Sequence, residues 1–94
     1  MKYIDLSNYA PSVNREEIGA AIYNQIMSCS PLEEEVEINM TSIKAMATFC
    51  AKQIFGTLYK KLGSTVFFKN IKIIGASENV KLSIQLGIED ALKN

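Results

Sequence analysis

A small α/β sandwich of three to four mostly parallel strands, with helices packed mainly on one face, is the fold this sequence predicts. Three observations predict it. Two short runs, KYIDL and EEEVEINM, alternate apolar and polar residues with the period of a strand. Three longer runs repeat apolar residues at four-residue steps, the spacing of an amphipathic helix. The runs follow the order β-α-β-α-β-α, and strand–helix–strand units favour parallel neighbours joined with a right-handed crossover.

Each element has its own signal. In residues 2–6, Ile4 and Leu6 share one face of a strand. Asn8 and Pro11 break it. Ser12 is then the expected N-cap of a helix, and Glu16 and Glu17 suit the positive end of its dipole. Ile18, Ile22 and Ile26 define the apolar stripe, with Ala21 and Cys29 widening it, and Pro31 ends the region. In residues 33–40 the three glutamates form a solvated lead-in, and Val36, Ile38 and Met40 mark the buried side of a strand.

Residues 45–62 read as the second helix, with Cys50, Ile54, Leu58 and Leu62 on its stripe and Ala51 and Phe55 beside them. Gly63 suits the left-handed position that terminates a helix. STVFF reads as a turn or a short extended piece. NIKIIGA is a strand with a more fully apolar end. Ser77 caps a last helix whose buried face is Val80, Ile84, Ile88, Ala91 and Leu92.

Composition narrows the function. The 94 residues make one domain, residues 1–94. A chain of this size buries roughly two thirds of its unfolded surface, leaving little room for a deep active site beside a core. Apolar residues make up 48% of the chain, which fits a globular protein. Ten basic and ten acidic residues cancel, so the basic surplus of a nucleic-acid binder is missing. There is no histidine, which removes the commonest general base and a principal zinc ligand. No metal site and no cofactor are expected. Cys29 and Cys50 lack CxxC spacing and read as buried, reduced thiols of a cytoplasmic protein. No run reaches the ~20 apolar residues of a membrane span, and the first residues do not resemble a signal peptide.

Functional groups are sought where parallel sheets place them, at the carboxyl ends of strands and the starts of helices. Residues 41–48 and 75–79 are such loops. If their strands are parallel neighbours, Thr41, Ser42, Thr48, Ser77 and Asn79 share one polar patch, whose free helix-start N–H groups suit an anion. The ordinary role of such hydroxyls is capping or turn formation. GASENV lacks both the GxGxxG and the GKS/GKT pattern of phosphate loops. A hydroxyl nucleophile would need a lysine or carboxylate base, and no Ser-x-x-Lys spacing occurs. Thr41 stands three residues before Lys44, a single pair. No enzyme activity is expected.

A resemblance adds to this reading. The chain carries Arg15 and Gly19 in its first helix, then INM, then TFCAKQIFG, then IIGASENVKLSIQLGI. In order and approximate spacing these motifs, over residues 12–92, resemble the bacterial STAS-like family of unknown function. That family is related in fold to the STAS antagonists of anti-sigma factors. The resemblance implies a STAS-like α/β sandwich and a regulatory role without catalysis. In STAS antagonists an Asp-Ser-Ser-Gly turn follows the second strand, and its first serine is phosphorylated by a kinase-like anti-sigma factor. Aligned without gaps, Ala47 takes the aspartate position, Thr48 the phosphoacceptor position, Phe49 the second serine and Cys50 the glycine. Thr48 alone keeps the hydroxyl. Lys52 and Gln53 stand where the STAS-like pattern is acidic.

Two functions compete on these grounds. The first is a regulatory interaction domain that offers the helix around Thr48, Phe49 and Lys52 to a protein partner, which the resemblance makes a histidine-kinase-like ATPase or another signalling protein. An exposed apolar patch containing Phe49 or Phe55 would distinguish it. The alternative is a small-molecule or nucleotide-binding domain using the loop patch. Homodimer formation is a third expectation, with KYIDL as an edge strand pairing between copies.

Overall fold

The computed structural model describes residues 1–93. Its elements are β1 (Lys2–Asp5), a 3-10 turn (Ser7–Tyr9), β2 (Ser12–Val13), α1 (Glu16–Met27), β3 (Val36–Asn39), β4 (Ala45–Met46) and α2 (Thr48–Ala51). A π turn (Lys52–Gly56), α3 (Thr57–Leu62), α4 (Ser64–Asn70), β5 (Ile71–Ile74) and α5 (Glu78–Leu92) follow. The π turn joins α2 to α3 without leaving helical backbone angles, so the three form one rod.

The main sheet has the order β1-β3-β5, with both pairs parallel. Its register puts Ile4, Ile38 and Ile73 in one row and Tyr3, Glu37 and Lys72 in the next. Adjacent positions of a strand point to opposite faces, so these rows belong to opposite sides. Ile4 and Ile38 are buried in a core with Ile22 and Ile26 of α1, Ile54 and Phe55 of the π turn, and Val80 of α5. The helices therefore cover one face. On the other, Tyr3 and Lys72 are exposed and Glu37 is half-buried.

Several sequence expectations need correction. Ser12 does not cap α1. It pairs with Ala45 in a parallel β2–β4 ladder, and Val13 pairs with Met46. The N-cap is Arg15, with no side-chain capping bond. Ala45–Met46 is thus a strand, and helix begins only at Thr48. The backbone explains both changes, because Lys44 N–H donates to Pro11 O at 2.7 Å and Ala47 N–H to Val13 O at 2.8 Å. STVFF is part of α4, not a turn or extended piece. Gly63, at φ 84°, ends α3 and opens α4, which lets Phe67 fold back onto Tyr59 with ring centroids 5.2 Å apart. Packing overrides the β preference of Val66, Phe67 and Phe68.

The buried stripes also differ in detail. Ala21 is exposed, and Cys29 is only half-buried. On α5 the face pressed to the core is Val80, Ile84, Gly87 and Ala91. Leu92 lies about 100° further round the helix from Ala91 and is 55% exposed. Gly87 is buried because α5 crosses the rod backbone to backbone. A Cβ there would stand 2.7 Å from Ala51 C, and one on Gly56 would stand 2.7 Å from Ala91 Cβ.

Candidate functional site

The loops after β3 and β5 meet, as parallel neighbours require. Asn39, the last residue of β3, organises the first. Its Oδ1 accepts from Thr41 N–H at 2.9 Å and from Thr41 Oγ1–H at 2.6 Å, while its Nδ2 donates to Tyr3 OH at 2.9 Å. Gly75 turns the second loop at φ 74°, and a Cβ on it would collide with Thr41 Oγ1. Asn79 ties the loops further, its Nδ2 donating to Lys44 O at 3.1 Å. Ser77 caps α5 as expected, its Oγ accepting from Val80 N–H at 3.4 Å and donating to Asn79 Oδ1.

The hydrogen bonds involve part of the expected polar patch. Thr41 lies against Gly75, and the side chains of Thr41, Ser77 and Asn79 are each hydrogen-bonded within the two loops. Ser42 is exposed beside them. None of these hydrogen bonds reaches Thr48. Thr48 is the first residue of α2, and the N-cap is Ala47, which brings no side-chain capping bond. The Thr48 side chain is exposed and does not serve as the cap. Phe49 next to it is 55% exposed, whereas Phe55 is fully buried, so only the first of the two aromatic candidates faces solvent. Lys52 is half-buried and pairs with Asp90 of α5 at 3.3 Å, an ion pair open enough to be screened by water.

The starts of α1 and α2 lie side by side. Ala47 N–H bonds Val13 O, and the Cys50 thiol donates to Arg15 O at 3.5 Å. Arg15, exposed, therefore rises from backbone that touches the first turn of α2. Burial pushes the Cys50 thiol above its ordinary value and favours the protonated form.

Gln53, which the sequence marks only as a departure from the acidic STAS-like position, packs in a way the sequence does not foretell. Its Nε2 donates to Glu16 O at 3.0 Å, and its Oε1 is buried without a partner among the described residues. Gly19 makes room for it, as a Cβ there would overlap the Gln53 amide. Gln53 sits with Glu16, Glu17 and Ala20 at a hollow of about 440 Å3. The spacing of Arg15 and Gly19 was the available signal, and it pointed to the first helix rather than to the residue of the second that fills the gap.

A larger hollow, about 460 Å3 and mainly apolar, lies beside β5 between α5 and the aromatic cluster of α3 and α4. Among the described residues no cluster of His, Cys, Asp and Glu is placed to hold a metal ion, and no helix is long and apolar enough to cross a membrane. Comparison of the chain with protein-family models, with curated proteins and with solved structures gave no match.

Proposed function

We propose that the chain is a non-enzymatic regulatory domain that binds another protein through the first turn of α2. The observation that carries this reading is that Thr48 and Phe49 stand side by side, exposed, with neither Thr48 capping the helix nor Phe49 entering the core. Aromatic side chains, Phe among them, are enriched at protein interfaces. A hydroxyl at a helix start is a position where added phosphate is tolerated, because the free N–H groups and the dipole favour negative charge. Arg15 stands at the adjoining start of α1, where its backbone carbonyl accepts from the Cys50 thiol. The STAS-like resemblance makes the partner a histidine-kinase-like ATPase or a related signalling protein, with Thr48 as phosphoacceptor and Lys52 at the border of the surface.

The alternative of a small-molecule or nucleotide site at Thr41, Ser42, Ser77 and Asn79 has weaker support. The side chains of Thr41, Ser77 and Asn79 are already hydrogen-bonded within the protein, and the hollows of about 460 and 440 Å3 lie elsewhere.

The test is recovery of the tagged protein from its own cells at natural expression level, with the Phe49→Asp and Thr48→Ala variants in parallel. Phe49 is exposed, so Phe49→Asp leaves the fold intact, which circular dichroism checks. The expected result is a stoichiometric protein partner that the Phe49→Asp variant loses, and phosphate on the native chain that Thr48→Ala lacks. A partner retained in full by Phe49→Asp overturns the surface. Phosphate unchanged by Thr48→Ala overturns the switch.

A further inference from the structure

The outer edge of β5 and the apolar hollow beside it form one continuous surface. Met40 N–H donates to Ile74 O at 2.8 Å. In a parallel ladder alternate residues turn their backbone groups to the same neighbour. Lys72 and Ile74 therefore face β3, and Ile73 presents N–H and C=O to the open edge, while Ile71 offers its C=O there, its N–H being taken by Phe67 O of α4. The side chains of the same two residues line the hollow, together with Ile84, Ile88 and Leu92 of α5 and Phe68 of α4. Phe68 is 66% exposed and Leu92 55%, so large apolar side chains stand out at the rim. An apolar strand edge of this kind is a template for pairing unless it is covered.

The charges along the hollow indicate what covers it. Lys81, Gln85 and Glu89 line it from α5 at four-residue steps, with the cation and the anion equidistant from Gln85. Lys81 has only a loose contact with Glu78, at 4.0 Å, and Glu89 accepts a hydrogen bond from Gln85 at 3.1 Å. If a second copy of α5 runs antiparallel across an axis at Gln85, Lys81 meets Glu89 of that copy, and the same contact recurs in reverse. This self-complementarity is what a two-fold interface requires and what an unrelated extended peptide has no reason to match.

The geometry points to a homodimer in which β5 pairs antiparallel with β5 of a second copy, joining two three-stranded sheets, with the α5 helices flanking the seam. A register with Ile73 opposite Ile73 lets that pair exchange both backbone hydrogen bonds. It sets Lys72 opposite Ile74 and avoids a direct Lys72–Lys72 encounter, which would be repulsive. Pairing through β1, expected from KYIDL, is less favoured, because Lys2, Tyr3 and Asp5 are exposed there and the Asp5 carboxylate is held by Ser7 N–H at 2.8 Å. The inference is independent of the α2 surface, which belongs to other elements.

Sedimentation velocity on the full chain over a wide concentration range tests it. The expected result is a concentration-dependent rise to twice the chain mass. Lys81→Glu and Glu89→Lys, both on exposed positions, should each raise the dissociation constant about tenfold or more, since each change enters the interface twice. The combined Lys81→Glu, Glu89→Lys variant should return it to within about threefold of the native value. Exchange of the Ile73 amide should slow as the dimer forms. A single-chain mass at every concentration, leaving the hollow to a peptide or other occupant, overturns the proposal. So does a dimer indifferent to the single reversals, or one that the double reversal fails to restore.

Discussion

Glu37, Ile38 and Asn39 occupy consecutive positions of β3 and live in two different environments. Ile38 is wholly enclosed between its strand neighbours and the helices, while Glu37 and Asn39 point to the side that no helix covers. Parallel sheets are usually covered on both faces, and their strands then read as continuous apolar runs. Here the strands alternate, as in a sheet with one wet face. The open side carries Tyr3, Asp5, Glu37, Asn39 and Lys72, with Ile74 its partly exposed apolar member. A parallel sheet can thus leave a face to water when polar residues occupy every strand of it. The contrast also separates this face from the β5 edge, where the uncovered surface is apolar.

The largest effect is expected on the covered face. Ile38→Ala should cost about 2–5 kcal/mol of stability, from lost burial and the cavity left between β1 and β5. Chemical denaturation measures it, and a loss below about 1 kcal/mol would mean that the helices can collapse into the gap. On the open face, Asn39→Ala should cost less, about 1–3 kcal/mol, by taking away the acceptor of Thr41 N–H and the donor to Tyr3 OH. Its signature is faster hydrogen exchange at the Thr41 amide with the core amides unchanged. Uniformly faster exchange would place Asn39 in the core's energetics after all. The smallest effect is Glu37→Lys. Glu37 stands opposite Lys72 in register, so reversing its charge should cost about 0.2–1 kcal/mol, and less in high salt. A penalty that salt leaves untouched would show that the open face is not fully wet.

Much of this contrast was legible in the sequence. The alternation of Val36, Ile38 and Met40 with Glu37 and Asn39 identified the strand and its buried side, and the four-residue steps identified the long helices. β2 and β4 were not legible, since two residues each carry no period. They exist because Val13 and Met46 need burial at the starts of α1 and α2. α4 was hidden by its own composition, Val66, Phe67 and Phe68 being good strand formers until Gly63 turns them onto Tyr59. Of the candidate site, Ser77 as a cap and the meeting of Thr41 with the β5 loop were readable from loop positions. The start of the second helix at Thr48 rather than Ala45 was not, because it depends on β4 delaying the helix. The hollow beside β5 was beyond reach, as its lining comes from four separate elements.

The order β1-β3-β5 also has a consequence in time. The central strand is made before one of its two neighbours exists. At roughly 5–20 residues per second, the stretch from Asn39 to Ile71 takes about 2–6 s to synthesise. Through that interval Val36 and Ile38 lack the flank that β5 will provide, and the Met40 amide lacks its Ile74 acceptor. The nascent chain passes through a stage in which its future centre is an open edge.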